Sequence, residues 1–372
     1  MLARSTHSSS IPIILDRWLH KGRPAIGLDF GTHTLKALQL EGGRGRWSVR
    51  AAAEQPLPAN LPDHGPARVD AYAEAIQRAL DEAPFAGRQV VTTLPSSSVT
   101  YKSLRLPTMP DHELAAAVEF EAADRMEIGD AGCLVQHFNA GQVRQGNDVR
   151  QEVIAMAVSQ QAMDEHIQAL ARCGLEPEAI DVAPGALARC AVLAARADDA
   201  PADTNLIVDI GFNTSKVVIA RHGRVLFFKE IDIAGLQFAE AGRQDAPPRA
   251  TATDDAEAQP SDEDAGPNAV SALLEQLSRE IGLCLRYYSV TFRGERPREA
   301  LLVGGEATRP QIVKGLATLP GVGFRVLDVF ADVELGRMDG RLSRGDAGAP
   351  WAIAASLSRR AAMLERKRGK AA

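Results

Sequence analysis

Two copies of one short motif, one in each half of the chain, contain the residue types that bind phosphate together with a cation. They read Asp29-Phe30-Gly31-Thr32-His33-Thr34-Leu35-Lys36 and Asp209-Ile210-Gly211-Phe212-Asn213-Thr214-Ser215-Lys216. Each copy lies between two short apolar runs, which predicts a strand, a tight turn at the glycine and a second strand. A repeat spaced this widely is not a solenoid, so it predicts two homologous halves around a cleft.

The chemistry of the motif follows from its residue types. Glycine at the turn lets the backbone approach a ligand closely, and successive N–H groups with threonine hydroxyls form a site for an anion. An aspartate would repel a phosphate unless a cation lay between them, so Asp29 and Asp209 together predict Mg²⁺ held largely through water. For a single copy, an ordinary glycine-containing hairpin ending in aspartate explains the pattern equally well. Two copies in the same register favour the phosphate site.

The composition of the whole chain argues against several classes of protein. Its 372 residues suggest two or more domains. The net charge is −6 and no stripe of basic and aromatic residues occurs, which argues against nucleic-acid binding. No apolar run has the length of a membrane span. Four widely spaced cysteines predict reduced thiols in a cytosolic protein without a zinc site: Cys133, Cys173, Cys190 and Cys284.

Three segments are expected to lie outside the folded lobes. Residues 1–24 carry apolar residues at helical spacing, which predicts an amphipathic helix that either lies on a membrane surface or docks on a protein. Residues 241–268 are rich in Ala, Pro, Asp, Glu and Thr, which predicts a disordered acidic insertion. Residues 361–372 form a basic tail that is either solvated or attracted to an anionic surface.

The rest of the chain predicts two α/β lobes and an inserted domain. Residues 25–98 read as the strands and helix of a first lobe, which 182–204 complete. Residues 99–181 follow a different pattern and predict a small inserted α+β domain. Residues 205–360 repeat the strand meander of the first lobe and predict a second lobe.

Two local predictions concern the inserted domain. A helix is expected over 111–126, with a capping-box-like start at Thr108 and with Pro110 in its first turn. A hairpin connection is expected over 141–146, where two glycines flank polar residues.

A third motif places these observations in a known superfamily. The late strand ends Leu302-Val303-Gly304-Gly305-Glu306-Ala307. After two matched turns, this glycine pair resembles the nucleotide signature of the actin and heat-shock-chaperone ATPase superfamily. The resemblance implies an α/β, actin-like fold: two ribonuclease-H-like lobes around a nucleotide cleft, with the small inserted domain in the first lobe. It also implies that the turns bind the phosphates and that the glycine pair lies under the adenosine.

Within that superfamily the inserted domain is similar to that of the PilM family of type IV pilus assembly proteins. The segment from Val99 to Pro107, followed by Met109-Pro110 and Glu113-Leu114-Ala115-Ala116-Ala117-Val118-Glu119-Phe120-Glu121-Ala122, resembles a block typical of that family. The phrase Gly174-Leu175-Glu176-Pro177, with Ile180-Asp181-Val182, resembles its connector. The cell-division family FtsA shares the layout but usually ends in a membrane-targeting helix with different motifs.

This resemblance implies a cytoplasmic scaffold, peripheral to the inner membrane, that binds ATP and Mg²⁺. Its implied partner is the cytoplasmic N-terminal tail of a PilN-like bitopic protein, through which it couples the membrane platform to the motors. The implied nucleotide-binding residues are Asp29, Gly31, Thr32, His33, Thr34, Lys36, Asp209, Gly211, Asn213, Thr214, Glu280, Gly304, Gly305 and Glu306, with Asp29 and Asp209 as metal ligands. The implied partner groove lies between the first lobe and the inserted domain and uses Tyr101, Ser103, Leu104, Arg105 and Leu106.

Whether the chain hydrolyses ATP depends on one position. Ala183 stands where the chaperone branch has a glutamate that helps to order the attacking water, and alanine cannot replace it, so assistance of about 10²–10⁴-fold should be missing. Asp181 is near in sequence but ends the preceding strand, so we do not assign it that role. We therefore expect at most slow hydrolysis. The alternatives are a phosphotransferase of the sugar-kinase branch, whose catalytic Asp and sugar loops the sequence lacks, and an FtsA-like cell-division protein.

Overall fold

Two mixed β-sheets that share the topology of five strands form the frame of the molecule. The computed structural model describes residues 25–43, 46–126, 132–193, 204–245, 268–335, 342 and 346–360. The N-terminal segment, most of the acidic insertion and the basic tail that the sequence predicts lie outside the described residues. Within the described part of the chain, none of the helices combines the length and apolar composition needed to cross a membrane.

The first lobe is built on a six-stranded sheet in the order β14-β3-β2-β1-β4-β8. The strands β1, β2 and β3 form an antiparallel meander, and β4 and β8 extend it in parallel. Helices α1 and α3 bury their apolar residues against one face of this sheet. The bounds are β1 Ile26–Phe30, β2 Thr34–Gly43, β3 Arg46–Pro56, α1 Pro66–Glu82, β4 Gln89–Thr93, α3 Gln160–Arg172, β8 Glu176–Asp181 and β14 Val333–Glu334.

The second lobe repeats this plan in a five-stranded sheet of order β11-β10-β9-β12-β13. Its meander β9, β10 and β11 is antiparallel, and β12 and β13 add in parallel. Helices α5, α6 and α7 contribute to the same core as this sheet. The bounds are β9 Asn205–Ile210, β10 Ser215–Arg221, β11 Arg224–Ile231, α5 Gly235–Gln244, α6 Ala269–Phe292, β12 Glu299–Val303, α7 Pro310–Leu316 and β13 Gly323–Val326.

The inserted domain is a three-stranded antiparallel sheet of order β5-β7-β6 with one covering helix, α2. A short 3₁₀ turn at Ser96–Ser98 leads from β4 of the first lobe into β5. The helix packs Leu114, Val118 and Ala122 against the sheet. The bounds are β5 Thr100–Pro107, α2 Asp111–Arg125, β6 Cys133–Gln145 and β7 Asp148–Ser159.

Two helices cross from one lobe to the other, which the sequence-based boundaries do not anticipate. Helix α4 (Ala183–Leu193), which we expected in the first lobe, packs on the sheet of the second. After a 3₁₀ segment at Asp346–Trp351, helix α8 (residues 352–360), which we expected in the second lobe, packs on the sheet of the first. It crosses β1 so closely that a β-carbon on Gly27 would lie 2.2 Å from the Ala354 carbonyl oxygen.

Two local predictions in the inserted domain are wrong. No side chain of the described residues caps α2: Pro110 is its N-cap residue, and the Thr108 hydroxyl donates to the Val149 carbonyl instead. The hairpin connection is shorter than predicted, because β6 continues past Gly141 to Gln145. Gly141 (φ 108°) lies at a register shift of the ladder rather than in a turn.

Candidate functional site

The two sequence motifs form two turns of the same geometry. The Gly31 N–H donates to the Thr34 carbonyl at 3.0 Å, and the Gly211 N–H donates to the Thr214 carbonyl at 3.2 Å. A β-carbon on Gly31 would lie 2.8 Å from the first of these carbonyl oxygens, and one on Gly211 2.9 Å from the second. Both turns therefore need glycine, and the sequence repeat is a structural repeat.

Each hairpin also places a lysine opposite its aspartate. Asp29 is the cross-strand partner of Lys36, and Asp209 is the cross-strand partner of Lys216. Residues directly opposite each other in an antiparallel pair share one face of the sheet. The spacing of aspartate and lysine around the turn therefore brings one negative and one positive side chain together in each lobe.

An open cleft lies between the two turns; its roughly 660 Å³ of space includes the solvent at its mouth. Nine of the implied nucleotide residues line it: Asp29, Gly31, Thr32, Lys36, Asp209, Gly211, Thr214, Gly304 and Gly305. Its other lining residues are Phe30, Thr93, Leu94, Ser96, Ala183, Lys216, Ala349, Pro350, Ala352 and Ile353.

The glycine pair at the end of β12 meets the second turn. Gly304 has φ 98°, and a β-carbon there would lie 2.4 Å from both the Asp209 carboxylate and the Ile210 carbonyl oxygen. Gly304 is therefore required for the second turn to pack on β12. Among the described residues, a β-carbon on Gly305 would meet nothing within 4 Å, so this residue faces open space at the cleft.

The charged groups of the cleft influence one another. Burial raises the pKa of Asp29 to about 6, an effect that the Lys36 ammonium opposes and the Asp209 carboxylate increases. The Thr93 hydroxyl donates to Asp29 at 3.4 Å. Across the cleft, Lys216 Nζ lies 3.7 Å from an Asp209 carboxylate oxygen. Two carboxylates and two ammonium groups around one space suit a ligand that combines an anion with a cation.

Lys36 also has partners of its own in the first lobe. Its ammonium donates to the Thr34 hydroxyl at 2.8 Å and lies 3.2 Å from the Glu54 carboxylate. The sequence left open whether Lys36 faces a phosphate site or is simply an exposed strand lysine. The structure places it in the cleft wall, with only 11% of its side chain exposed.

Five implied nucleotide residues do not line the cleft. Glu280 of α6 accepts a hydrogen bond from Lys229 of β11 at 2.6 Å, and Glu306 pairs with Arg309. The His33 ring stacks on Phe212 of the other turn, with centroids 4.4 Å apart. The two remaining residues are Thr34, whose carbonyl and hydroxyl hydrogen-bond within the first turn, and Asn213, which is exposed.

Some residues that line the cleft were not predicted from the sequence. Lys216 could have been predicted, because it occupies the position in the second motif that Lys36 occupies in the first. Thr93 and Ser96 could not, because no motif contains them and their position follows from the pairing of β4 with β1. The same is true of Ala352 and Ile353, which reach the cleft only because α8 returns to the first lobe.

The position expected to hold a water-ordering carboxylate has none. Ala183 lines the cleft at the first residue of α4. The nearby carboxylate of Asp181 pairs with Arg189 and Arg360 and accepts from the Val182 N–H at 2.8 Å. Asp181 therefore binds α4 and α8 together and does not line the cleft.

Within the described part of the chain β5 pairs with β7 alone, so the implied partner strand is an edge strand there. Leu104 and Leu106 are buried under α2, so they offer a partner their backbone groups alone. The Tyr101 ring contacts Phe228 of the second lobe, and Arg105 pairs with the carboxylate of Glu152. Ser103, the remaining implied partner residue, is exposed.

A family model described as "Type IV pilus assembly protein PilM" matches residues 27–360. The chain belongs to this family. Among solved structures it is similar to the "PilM-PilN type IV pilus biogenesis complex", with 23% identity and a TM-score of 0.70 over 91% of this chain and 98% of that chain. It also matches ethanolamine utilization protein EutJ from Carboxydothermus hydrogenoformans, with 12% identity and a TM-score of 0.49 over 90% of this chain and 88% of that chain.

Family and fold agree with the resemblance that the motifs suggested. The actin-like fold class expected from the two turns and the glycine pair is confirmed. The resemblance of the inserted domain to the PilM family is confirmed as well, since the matched residues extend across that domain.

Proposed function

We propose that this PilM-family chain is an ATP-binding scaffold of a type IV pilus assembly platform. The proposal is carried by the two matched turns, which face one cleft together with the glycine pair. Each turn contributes one aspartate and one lysine. Anion-binding backbone on two sides and carboxylates for a cation are what a nucleotide triphosphate with Mg²⁺ requires.

The cleft residues fit this ligand. The backbone N–H groups and hydroxyls after Gly31 and Gly211 would take the phosphates, and Asp29 and Asp209 would hold Mg²⁺ through water. The open backbone at Gly305 admits the adenosine, where a side chain would intrude. When bound, the nucleotide would supply charge that draws both turns together.

The scaffold role follows from what the cleft lacks. Among the described lining residues, Asp29 and Asp209 are the only carboxylates. Once they hold the cation, none remains to order a water or to act as the base of a sugar kinase. We therefore assign the nucleotide a structural role, with slow or no turnover.

The proposed partner is the cytoplasmic tail of a PilN-like bitopic protein, which would place this chain at the cytoplasmic face of the inner membrane. Support comes from the family and from the similar structure described as a PilM–PilN complex. The edge of β5 opposite β7, unpaired among the described strands, offers backbone groups to which an extended peptide could add as a strand. Exposed Ser103 lies on that strand.

Calorimetric titration with ATP and Mg²⁺ tests the nucleotide site. Asp29→Ala and Asp209→Ala should each weaken binding about tenfold or more, because each removes a carboxylate that would hold the cation. Asp124→Ala, an exposed aspartate of the inserted domain, provides the matched control. Unchanged ATP affinity in both cleft variants would refute the assignment.

A further inference from the structure

Two helices in different domains each expose a large apolar side chain. Phe120 of α2, in the inserted domain, is 77% exposed, and Val290 of α6, in the second lobe, is 73% exposed. They are the most exposed large apolar side chains in the described part of the chain. Single exposed apolar residues are ordinary, but each of these two lies on a helix face whose other residues have a matching chemistry.

The exposed side of α6 combines apolar and basic side chains. Leu283 and Val290 share it with Arg279 and Arg286, because these positions recur at helical spacings of three, four and seven. Neither arginine forms an ion pair with a described carboxylate. One carboxylate, Glu275, lies at the N-terminal end of this side. The stripe is therefore apolar with a positive rim.

Four side chains of this stripe and its border have the spacing of a hole that receives a side chain from a second helix. They stand at i, i+3, i+4 and i+7: Leu283, Arg286, Tyr287 and Val290. The apolar residues at the two ends of the hole are seven positions, or about 10.5 Å, apart along the axis. The Tyr287 hydroxyl donates to Glu152 at 2.8 Å, which fixes the floor of the hole.

Helix α2 has the opposite charge and an aromatic side chain that would fill such a hole. It contains five carboxylates and one arginine. On its exposed side, Phe120 lies between Ala116 and Ala123, whose short side chains allow a second helix to approach closely. Glu119, beside Phe120, is exposed and has no partner among the described residues. The two helix faces are thus complementary in shape and in charge.

Within one molecule these two faces cannot meet, because they lie on opposite sides of the inserted sheet. Val153 and Ala155 of β7 pack under α2. The alternate residues Glu152 and Ile154 point the other way, toward Tyr287 of α6 and the core of the second lobe. A contact between α2 and α6 therefore requires two copies of the chain.

We propose that α2 of one copy docks on α6 of a second copy. Phe120 would enter the hole between Leu283 and Val290, and Glu119 would lie beside Arg286. The contact joins two different faces, so each pair keeps one free α2 and one free α6, to which further copies can add. It lies outside the cleft and so goes beyond the proposed function without depending on it.

The strength of this contact follows from its size and charge. Two helices bury less surface than the roughly 800 Å² per partner of a standard interface, so association should be weak. The charges lie at the rim, where dissolved salt screens them, so association should weaken further as the ionic strength rises.

Sedimentation velocity of the full chain, over a wide range of protein concentration and at low and high salt, tests the proposal. The sedimentation coefficient of the unaltered chain should rise with concentration and fall back at high salt. Arg286→Glu and Glu119→Arg each place like charges opposite one another, so each should raise the dissociation constant about tenfold or more. Phe120→Ser should weaken association without changing the charge.

Combining the two charge reversals identifies which faces meet. An equimolar mixture of Arg286→Glu and Glu119→Arg chains, and a single chain with both changes, pair opposite charges again, so both should associate like the unaltered chain. A contact of α2 with α2, or of α6 with α6, would not be restored in the doubly changed chain. Arg243→Glu, at an exposed arginine of α5 in the same lobe, is the matched control and should associate normally.

Three results would overturn the proposal. The first is an unaltered chain that stays monomeric at every concentration, and the second is a doubly changed chain that keeps its melting temperature but does not regain association. The third is a monomeric chain that sediments with phosphatidylglycerol vesicles unless Arg286→Glu is present, which would make the stripe of α6 a membrane contact.

Discussion

At the scale of single residues, the chemistry of this chain resides in two aspartate–lysine pairs. Because each pair is fixed by hairpin register, the positions of Asp29 and Lys36 follow from the sequence once the turn is recognised. Lys216 occupies the same position in the second motif, so the repeat also predicts it as a cleft residue. Glu280 and Glu306, which the family resemblance implied, do not line the cleft, and their pairing with Lys229 and Arg309 follows from packing that no motif records.

Asp29 makes nucleotide binding depend on pH. Its pKa is raised to about 6, so the carboxyl is mostly ionised at pH 7 and mostly protonated at pH 5. Mg²⁺ requires the ionised form, so ATP affinity should fall about tenfold between these two pH values on account of this group. Calorimetry in Mg²⁺ buffers measures the change.

Asp29→Asn supplies the baseline for that experiment, because it retains the titration of ATP itself but has no carboxyl at this position. The difference between the two pH profiles isolates Asp29. Parallel profiles for the two proteins would show that Asp29 does not titrate in the binding reaction.

At the scale of elements, β12 and the second turn are locked together at Gly304. Alanine there must adopt φ 98° and place its β-carbon 2.4 Å from Asp209 and from the Ile210 carbonyl. We expect Gly304→Ala to lower the free energy of unfolding by about 2–4 kcal/mol through strain and overpacking. ATP affinity should also fall, because the second turn is displaced.

Gly305→Ala separates these two effects. A β-carbon at Gly305 would meet no atom of the described residues within 4 Å, so thermal or denaturant unfolding should be unchanged. If the adenosine lies on this backbone, ATP affinity should still decrease. An unaltered ATP affinity in Gly305→Ala would place the adenosine elsewhere.

The elements themselves were largely predictable from periodicity and turn signals. The strands of both meanders and the long helix α6 follow their sequence patterns. The start of α2 did not follow the predicted pattern. Pro110 is the N-cap residue, and the Thr108 hydroxyl donates to the Val149 carbonyl instead of capping the helix. Gly141 was predicted to lie in a turn because a glycine at a bulge and a glycine in a turn look the same in sequence.

At the scale of the whole molecule, the repeat predicted two lobes but not how they are joined. Helices α4 and α8 exchange lobes, and the inserted domain packs on the second lobe through Tyr101 and Arg105. These long-range contacts cannot be predicted from a local sequence pattern, because an apolar helix has the same pattern whichever lobe it packs on.

Turnover is the property of the whole molecule that distinguishes a scaffold from an enzyme. With Ala183 in the cleft wall and Asp181 committed to two arginines, we expect purified protein to release phosphate at well under about one per second. A non-hydrolysable ATP analogue should support binding of a partner-tail peptide as well as ATP does, measured by fluorescence anisotropy. Release of tens of phosphates per second, abolished by Asp209→Ala, would instead show that the protein is an active ATPase.

The exchange of helices has a consequence for how the protein is made. Strand β14 and helix α8 come from the end of the described chain, yet they complete the sheet and core of the lobe that begins at residue 25. During synthesis, the first lobe therefore lacks its last strand and its closing helix until residues 333–360 have been made. The face of its sheet that carries Leu38 and Leu40 stays uncovered until then, and a chain stopped short of residue 352 leaves this lobe without its closing helix.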